Sequence, residues 1–240
     1  MKKRALTLFP LALALLLSAC SGGGQAADAQ PPEQDTAEPV TNSQPAASGS
    51  TAAAADGGVL IAYFSMPEDV DPAGADAVSG ASIVVEDGET LGNVQYMAQI
   101  IQENTGGDLF RIETVQQYPL DHDPLVDQAD AEQADGARPE LKALPENLDS
   151  YDTVFLGYPN WWGDMPMPLY TFLESVDLSG KTIIPFCPHG GSGFSRTEST
   201  IAELQPDATV SEDGLAIPRG DVAGAEAEIV SWLQGLGFGA

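Results

Sequence analysis

The segment Tyr151–Gly163, which reads YDTVFLGYPNWWG, constrains the fold more than any other part of the chain. Its first half contains the apolar run 153–156, which is rich in β-branched and aromatic residues and is bounded by Asp152 and Gly157. Short runs of this kind are typical of a strand that is buried on both faces of a parallel sheet. The segment therefore predicts an α/β domain with a central strand and an aromatic loop after it.

The loop after this strand contains two adjacent tryptophans, Trp161 and Trp162. Open α/β sheets bind ligands in the crevice outside the carboxyl ends of their strands, and aromatic side chains commonly line such pockets. A single indole at this place could simply cover the core. A core has no need for two neighbouring indoles that point in opposite directions, so the sequence favours a flat ligand here.

Strands and helices alternate along the rest of the domain. Strands are predicted at 59–64, 108–113, 181–186 and within 208–217, and residues 82–86 could form a short strand paired with their own neighbourhood. Helices are predicted from Gly92-Asn93 to a stop at Gly106-Gly107, and over 124–134, 168–176, 194–204 (with Ser195 or Thr197 as its cap) and 222–236. The alternation predicts a doubly wound parallel sheet. In a sheet with the strand order 2-1-3-4-5, the first and third strands flank the ligand crevice.

Residues 1–20 have the pattern of a secretion signal. Three cations at positions 2–4 precede the apolar stretch 5–17, which is too short to span a bilayer comfortably. The stretch ends in Leu17-Ser18-Ala19-Cys20, which resembles the bacterial lipobox. That resemblance implies a lipid group on Cys20 and an extracytoplasmic, membrane-anchored protein at the cell surface or in the periplasm.

Residues 21–57 contain no aromatic residue, and Val40 is their only large apolar residue. Such a segment cannot bury enough surface to offset its ordering entropy, so we predict a disordered tether. The predicted organisation is therefore a signal at 1–20, a tether at 21–57 and a folded domain at 58–240.

The composition excludes several functions. The chain contains 9 Lys and Arg residues and 36 Asp and Glu residues, which give a formal net charge of −27. This charge argues against nucleic-acid binding, which needs a basic surface. The 2 cysteines exclude a disulfide scaffold and a thiolate-rich metal site, and the 2 histidines are too few for a convincing metal centre.

Three predicted loops fall at the same edge of the sheet: Ser65 with Gly92-Asn93, then 158–163, then 187–193. With these loops the sequence resembles the flavodoxins, and specifically the flavodoxin-like proteins with YPNWWGDMP and HGGSGF loops. The resemblance covers nearly all of 59–240 and is carried by YFS, GN, GYPNWWGDMPMP and HGGSGF. It implies the flavodoxin fold, with a five-stranded parallel sheet in the order 2-1-3-4-5, and flavin mononucleotide (FMN) as the cofactor.

In that family the FMN phosphate is bound by hydroxyl and backbone N–H groups between the first strand and the first helix, so these loops need no cation. Ser65 matches the start of the phosphate motif and Gly92-Asn93 its later part, while Val94 stands where the last hydroxyl belongs. Residues 66–91 separate the two halves, and we predict that they fold over the crevice and supply Ser79 or Ser82. The implied cofactor contacts are Ser65, Ser79, Ser82, Gly92, Asn93, Val94, Pro159, Asn160, Trp161, Trp162, Gly163, His189, Gly190, Gly191, Ser192 and Gly193.

The resemblance implies an electron-transfer protein, whose partner is a redox protein or a small-molecule electron acceptor. Two alternatives stay open: an NAD(P)H-dependent quinone or flavin reductase, and a surface lipoprotein that binds another aromatic ligand without redox chemistry. A Ser-His-Asp hydrolase is disfavoured, because Phe194 replaces the second glycine of a nucleophile elbow. Cys187 is more typical of an inert core thiol than of a nucleophile, because only His189 supplies a basic group nearby in sequence.

Overall fold

A computed structural model describes residues 57–66, 82–86 and 88–239 of the chain. The predicted signal, its Cys20, and the tether up to residue 56 lie outside the described residues. Ser79 and most of the insertion 66–91 lie outside them as well.

The strands form one parallel sheet and one separate hairpin. In chain order they are β1 (Gly58–Tyr63), β2 (Ile83–Glu86), β3 (Glu89–Gly92), β4 (Asp108–Arg111), β5 (Tyr151–Gly157), β6 (Thr182–His189), β7 (Thr209–Val210) and β8 (Leu215–Pro218). The sheet has the order β4-β1-β5-β6, and β7 and β8 both pair with β6. This arrangement confirms the predicted order 2-1-3-4-5.

The fifth position of the sheet is divided between two short strands. β7 pairs with Thr182 and Ile183 at the start of β6, whereas β8 pairs with the end of β6 from Phe186 to His189. Pro185 lies between the two pairings and has no N–H group to give to a neighbouring strand. The strand predicted at 181–186 extends to His189 in the structure, as β6. The single strand predicted within 208–217 is divided into β7 and β8.

The hairpin β2–β3 is antiparallel and runs directly into the first helix. It confirms that residues 82–86 pair with their own neighbourhood. The left-handed Gly88, with φ of 84°, lies at the turn between the two strands.

Helices cover both faces of the sheet. They are α1 (Asn93–Thr105), α2 (His122–Asp135), α3 (Met167–Ser175), α4 (Thr197–Leu204) and α5 (Glu226–Gly235), with short 3-10 turns at Leu148–Ser150 and Val222–Gly224. Buried residues of α1 and α5 pack on one face of the sheet with Ile61 and Phe155, and those of α2, α3 and α4 pack on the other with Leu60 and Val154. Both faces of β5 are thus buried, as the apolar run 153–156 predicted.

The start of α4 corrects one prediction. The helix begins at Thr197 after Arg196, and no side chain caps it, so Ser195 and Thr197 are not N-caps. The Thr197 hydroxyl instead donates to the carbonyl of Phe194 at 2.7 Å and accepts from the hydroxyl of Tyr158 at 2.8 Å. It therefore links the helix to the residue that follows β5.

None of the helices in the described part of the chain is both long enough and apolar enough to cross a membrane.

Candidate functional site

The carboxyl ends of four strands meet at one edge of the sheet. Phe64 after β1 donates its N–H to the carbonyl of Gly157 at 2.9 Å, and Asn160 after β5 donates to that of Pro188 at 3.1 Å. Arg219, which follows β8, donates to the carbonyl of His189 at 2.8 Å. These bonds continue the sheet's register into the loops and fix their relative positions.

A crevice of about 450 Å³ opens at this edge. Its described lining combines seven predicted contacts with six residues that the sequence reasoning missed. The predicted ones are Ser82, Pro159, Asn160, Trp161, Trp162, His189 and Gly190; the missed ones are His122, Leu125, Val126, Ala129, Pro188 and Arg219. This volume is within the usual range of small-molecule sites.

The two indoles have different environments. Trp161 is half-buried and makes edge contacts with the rings of Phe64 and Tyr118, at centroid distances of 5.6 and 5.9 Å. Trp162 is 61% exposed and has a left-handed φ of 54°. Trp161 is thus a packed wall of the crevice, whereas Trp162 lines the crevice with a largely exposed indole.

Asn160 ties the loop after β5 to the loop after β6. Its side-chain NH₂ donates to the carbonyl of Gly193 at 2.8 Å and to the hydroxyl of Ser195 at 3.0 Å, and its side-chain oxygen accepts from the N–H of Gly163 at 3.0 Å. The side chain therefore determines how the two loops approach each other. The N–H groups of Asn160 and Gly163 already have acceptors within the protein.

Ser65 lies at the start of α1 but outside the main crevice. Its hydroxyl accepts the backbone N–H of Gln95 at 3.4 Å, and its carbonyl accepts from the Arg111 guanidinium at 3.1 Å. Ser65 lines a neighbouring cavity of about 220 Å³, together with Arg111 and Lys142. The structure thus brings Ser65 to the first turn of α1, next to the predicted Gly92-Asn93 pair.

Asn93, the first residue of α1, is buried directly behind the crevice. Its N–H donates to the carbonyl of Ser82 at 2.8 Å, and its side-chain NH₂ donates to the carbonyl of Arg219 at 3.2 Å. Its side-chain oxygen is buried and has no hydrogen-bond partner. The neighbouring Gly92 and Val94 are buried too, so they shape the site from behind rather than line it.

The remaining predicted contacts surround the crevice without lining it. Gly163, Gly191 and Gly193 have left-handed φ values of 79°, 122° and 57°, and Ser192 accepts the N–H of Ser195 at its carbonyl. A turn with positive φ explains these glycines as well as a close approach to a ligand does.

The crevice differs in charge from the rest of the protein. No Asp or Glu is found among its described lining residues, although the chain contains 36 acidic residues. Arg219 and two histidines line it instead. Arg219 lies two residues after the predicted strand region 208–217, and this position was the available sequence signal.

The apolar wall contributed by α2 was also missed. Leu125, Val126 and Ala129 face the crevice, and Leu125 and Ala129 are the buried residues of an otherwise acidic helix. Their spacing of four residues was the available signal, since residues at i and i+4 share a helix face.

Burial raises the pKa of two groups near the crevice. Burial, followed by the hydrogen bond to Glu132, raises the pKa of the Tyr118 hydroxyl, which donates to that carboxylate. Burial also raises the pKa of the Cys187 thiol, more than the nearby backbone N–H of Asn160 lowers it. Cys187 is fully buried, in agreement with the prediction of an inert core thiol.

Comparisons with known proteins identify relatives of this fold. The sequence model of one family, described as flavodoxin, matches residues 83–235, from β2 to α5. A protein assigned as a flavoprotein from Bacteroides eggerthii DSM 20697 is 29% identical over 76% of this chain and 99% of that chain, with a TM-score of 0.55. Another from Bacteroides uniformis ATCC 8492 is 27% identical over 74% of this chain and 98% of that chain, with a TM-score of 0.54. No curated protein matches the sequence.

Proposed function

Because this chain belongs to the flavodoxin family, we propose that it binds FMN in the crevice and transfers electrons outside the cytoplasm. The observation that carries the proposal is the crevice itself. It combines aromatic and aliphatic walls with a polar end that lacks carboxylates, in a chain with a net charge of −27.

The crevice fits the three chemical parts of FMN. The flat ring needs apolar walls, which Trp161, Trp162 and the apolar face of α2 provide. The hydroxyl groups of the ribityl chain need polar partners, such as Ser82 and His189 in the described lining of the crevice. The phosphate needs donors or positive charge, which Ser82 and Arg219 offer at the crevice surface.

The protein's role is to bind and shield the cofactor. FMN, when bound, supplies the reversible uptake and release of electrons. Trp161 and α2 exclude water from the ring, and Asn160 holds the two flanking loops together. The many carboxylates oppose added negative charge: one charge at about 10 Å contributes roughly 1.5 kcal/mol at an effective dielectric near 20. We therefore expect a low-potential electron donor, with salt damping the effect.

We place the protein outside the cytoplasm and anchor it by a lipid on Cys20. The sequence Leu17-Ser18-Ala19-Cys20 after a cationic and apolar start supports this part of the proposal. The tether 21–57 would span roughly 30–35 Å as a random coil, which is enough to hold a domain away from a membrane surface.

Titration of the purified full-length chain with FMN tests the cofactor. We expect quenching of flavin fluorescence that saturates at one FMN per chain. A chain that leaves the fluorescence of FMN unchanged, yet still melts cooperatively, would contradict FMN binding. Consumption of NADH or NADPH by the loaded protein would instead favour the reductase alternative over a carrier.

A further inference from the structure

Arg219 has no place in the phosphate motif that the sequence resembles, yet it reaches the crevice from a fourth loop. We propose that Arg219 is a specificity-determining residue that binds the phosphate of FMN, so that the chain selects FMN over riboflavin. The inference rests on the proposed function, because it assumes that a flavin occupies the crevice.

The backbone of Arg219 is fixed on both sides. Its N–H donates to the carbonyl of His189 at 2.8 Å, and its carbonyl accepts from the side chain of Asn93 at 3.2 Å. The residue is therefore anchored between the end of β6 and the first residue of α1. Neither bond involves the Arg219 side chain, so a substitution there leaves the anchoring intact.

The guanidinium is available to a ligand. Its central carbon lies 4.0 Å from the position that a Cβ would take on Gly190, and the side chain lines the crevice. The ion pairs among the described residues join Arg138 to Glu174 and Lys142 to Glu113. Neither ion pair includes Arg219. This residue is exposed and has no carboxylate partner among the residues that the structure describes.

The groups around Arg219 favour an anion. The amino end of α1, a helix of 13 residues, lies next to Arg219 behind the crevice, where the side-chain NH₂ of Asn93 donates to the carbonyl of Arg219 at 3.2 Å. A helix amino terminus carries partial positive charge, and a guanidinium binds phosphate oxygens through paired N–H groups. The described lining of the crevice contains no carboxylate that would repel a phosphate.

Phosphate is the part of FMN that these groups can distinguish. Riboflavin has the same ring and the same ribityl chain but lacks the phosphate. A residue that binds the phosphate therefore changes the affinity for FMN and leaves that for riboflavin unchanged. A residue that only shapes the crevice changes both affinities together.

The test compares dissociation constants for FMN and riboflavin in the full-length chain. We expect Arg219→Gln to raise the constant for FMN at least tenfold, which corresponds to about 1.4 kcal/mol. The constant for riboflavin should stay within about twofold. Arg219→Lys keeps the charge but not the paired N–H groups. Its dissociation constant for FMN should therefore lie between those of the wild type and Arg219→Gln.

Arg138→Gln is the matched control, because it removes the same charge outside the crevice, and we expect it to bind both flavins as the wild type does. Wild-type preference for FMN over riboflavin should also fall as salt is added. Two results overturn the inference: Arg219→Gln keeps the wild-type ratio of the two constants, or the wild-type ratio does not respond to salt. If the wild-type chain binds neither flavin, the proposed function itself fails.

Discussion

Trp162 combines an exposed indole with a strained backbone. It has a φ of 54° and is followed by Gly163 with a φ of 79°. The turn is held by two hydrogen bonds between Trp161 and Asp164, at 2.9 and 3.0 Å. Non-glycine residues in this region are strained, and such strain persists only where the surroundings impose it. We therefore predict that Trp162 lowers the stability of the fold in return for ligand binding.

Replacing Trp162 by Gly and by Ala separates the effect of backbone strain on stability from the effect of the indole on ligand binding. A left-handed residue other than glycine costs about 1–2 kcal/mol, and glycine loses about 0.5–1 kcal/mol more chain entropy on folding. From the middle of each range, we expect Trp162→Gly to be more stable than Trp162→Ala by about 0.75 kcal/mol. For a domain of this size that difference raises the melting temperature by about 1–4 °C.

Both variants should bind FMN about tenfold more weakly than the wild type, equivalent to 1.4 kcal/mol, because both lose the indole. Thermal melts without ligand and fluorescence titrations with FMN measure the two quantities. Equal stability of the glycine and alanine variants would refute the strain argument. Unchanged dissociation constants in both would remove Trp162 from the binding site.

Three further predictions concern the anchor, the loops and the buried thiol. Cys20→Ser should move the protein from the detergent phase to the aqueous phase; equal partitioning of both forms into the aqueous phase would contradict a lipid anchor. Asn160→Ala should weaken FMN binding and lower stability by about 1–3 kcal/mol, because the N–H of Gly163 and the carbonyl of Gly193 lose their partner. Because burial raises the pKa of Cys187, its stabilising contribution is complete below the unfolded value of 9.0 and is lost as the pH rises above it. Urea melts between pH 8 and pH 10 should therefore show a decline that is smaller in Cys187→Ala, and equal declines would contradict this assignment.

The sheet could be predicted from the sequence because its strands carry strong local signals. The run 153–156 is apolar at consecutive positions, and only a strand buried on both faces uses every one of them. The break between β7 and β8 had no such signal, since it depends on which residues of β6 each strand meets. The prediction of an N-cap for α4 was wrong for a similar reason. The hydroxyl of Thr197 forms hydrogen bonds with Phe194 and Tyr158, and Tyr158 is distant in sequence.

The site was predictable where it follows strands that the motifs identify. The loop residues Asn160, Trp161 and His189 reach the crevice because parallel strands place their carboxyl ends at one edge. Arg219 and the apolar face of α2 were missed because neither belongs to a motif. Their positions depend on the packing of β8 against β6 and of α2 against the rest of the domain.

Reductive titration of the FMN-loaded, full-length chain tests the central claim most directly. The protein is mixed with FMN, separated from free flavin by gel filtration, reduced stepwise and then reoxidised in air. Our account predicts that the flavin elutes with the protein, loses its visible absorption band on reduction and regains it on reoxidation while still bound. Elution of the flavin apart from the chain, or its release on reduction, would contradict an FMN protein that transfers electrons.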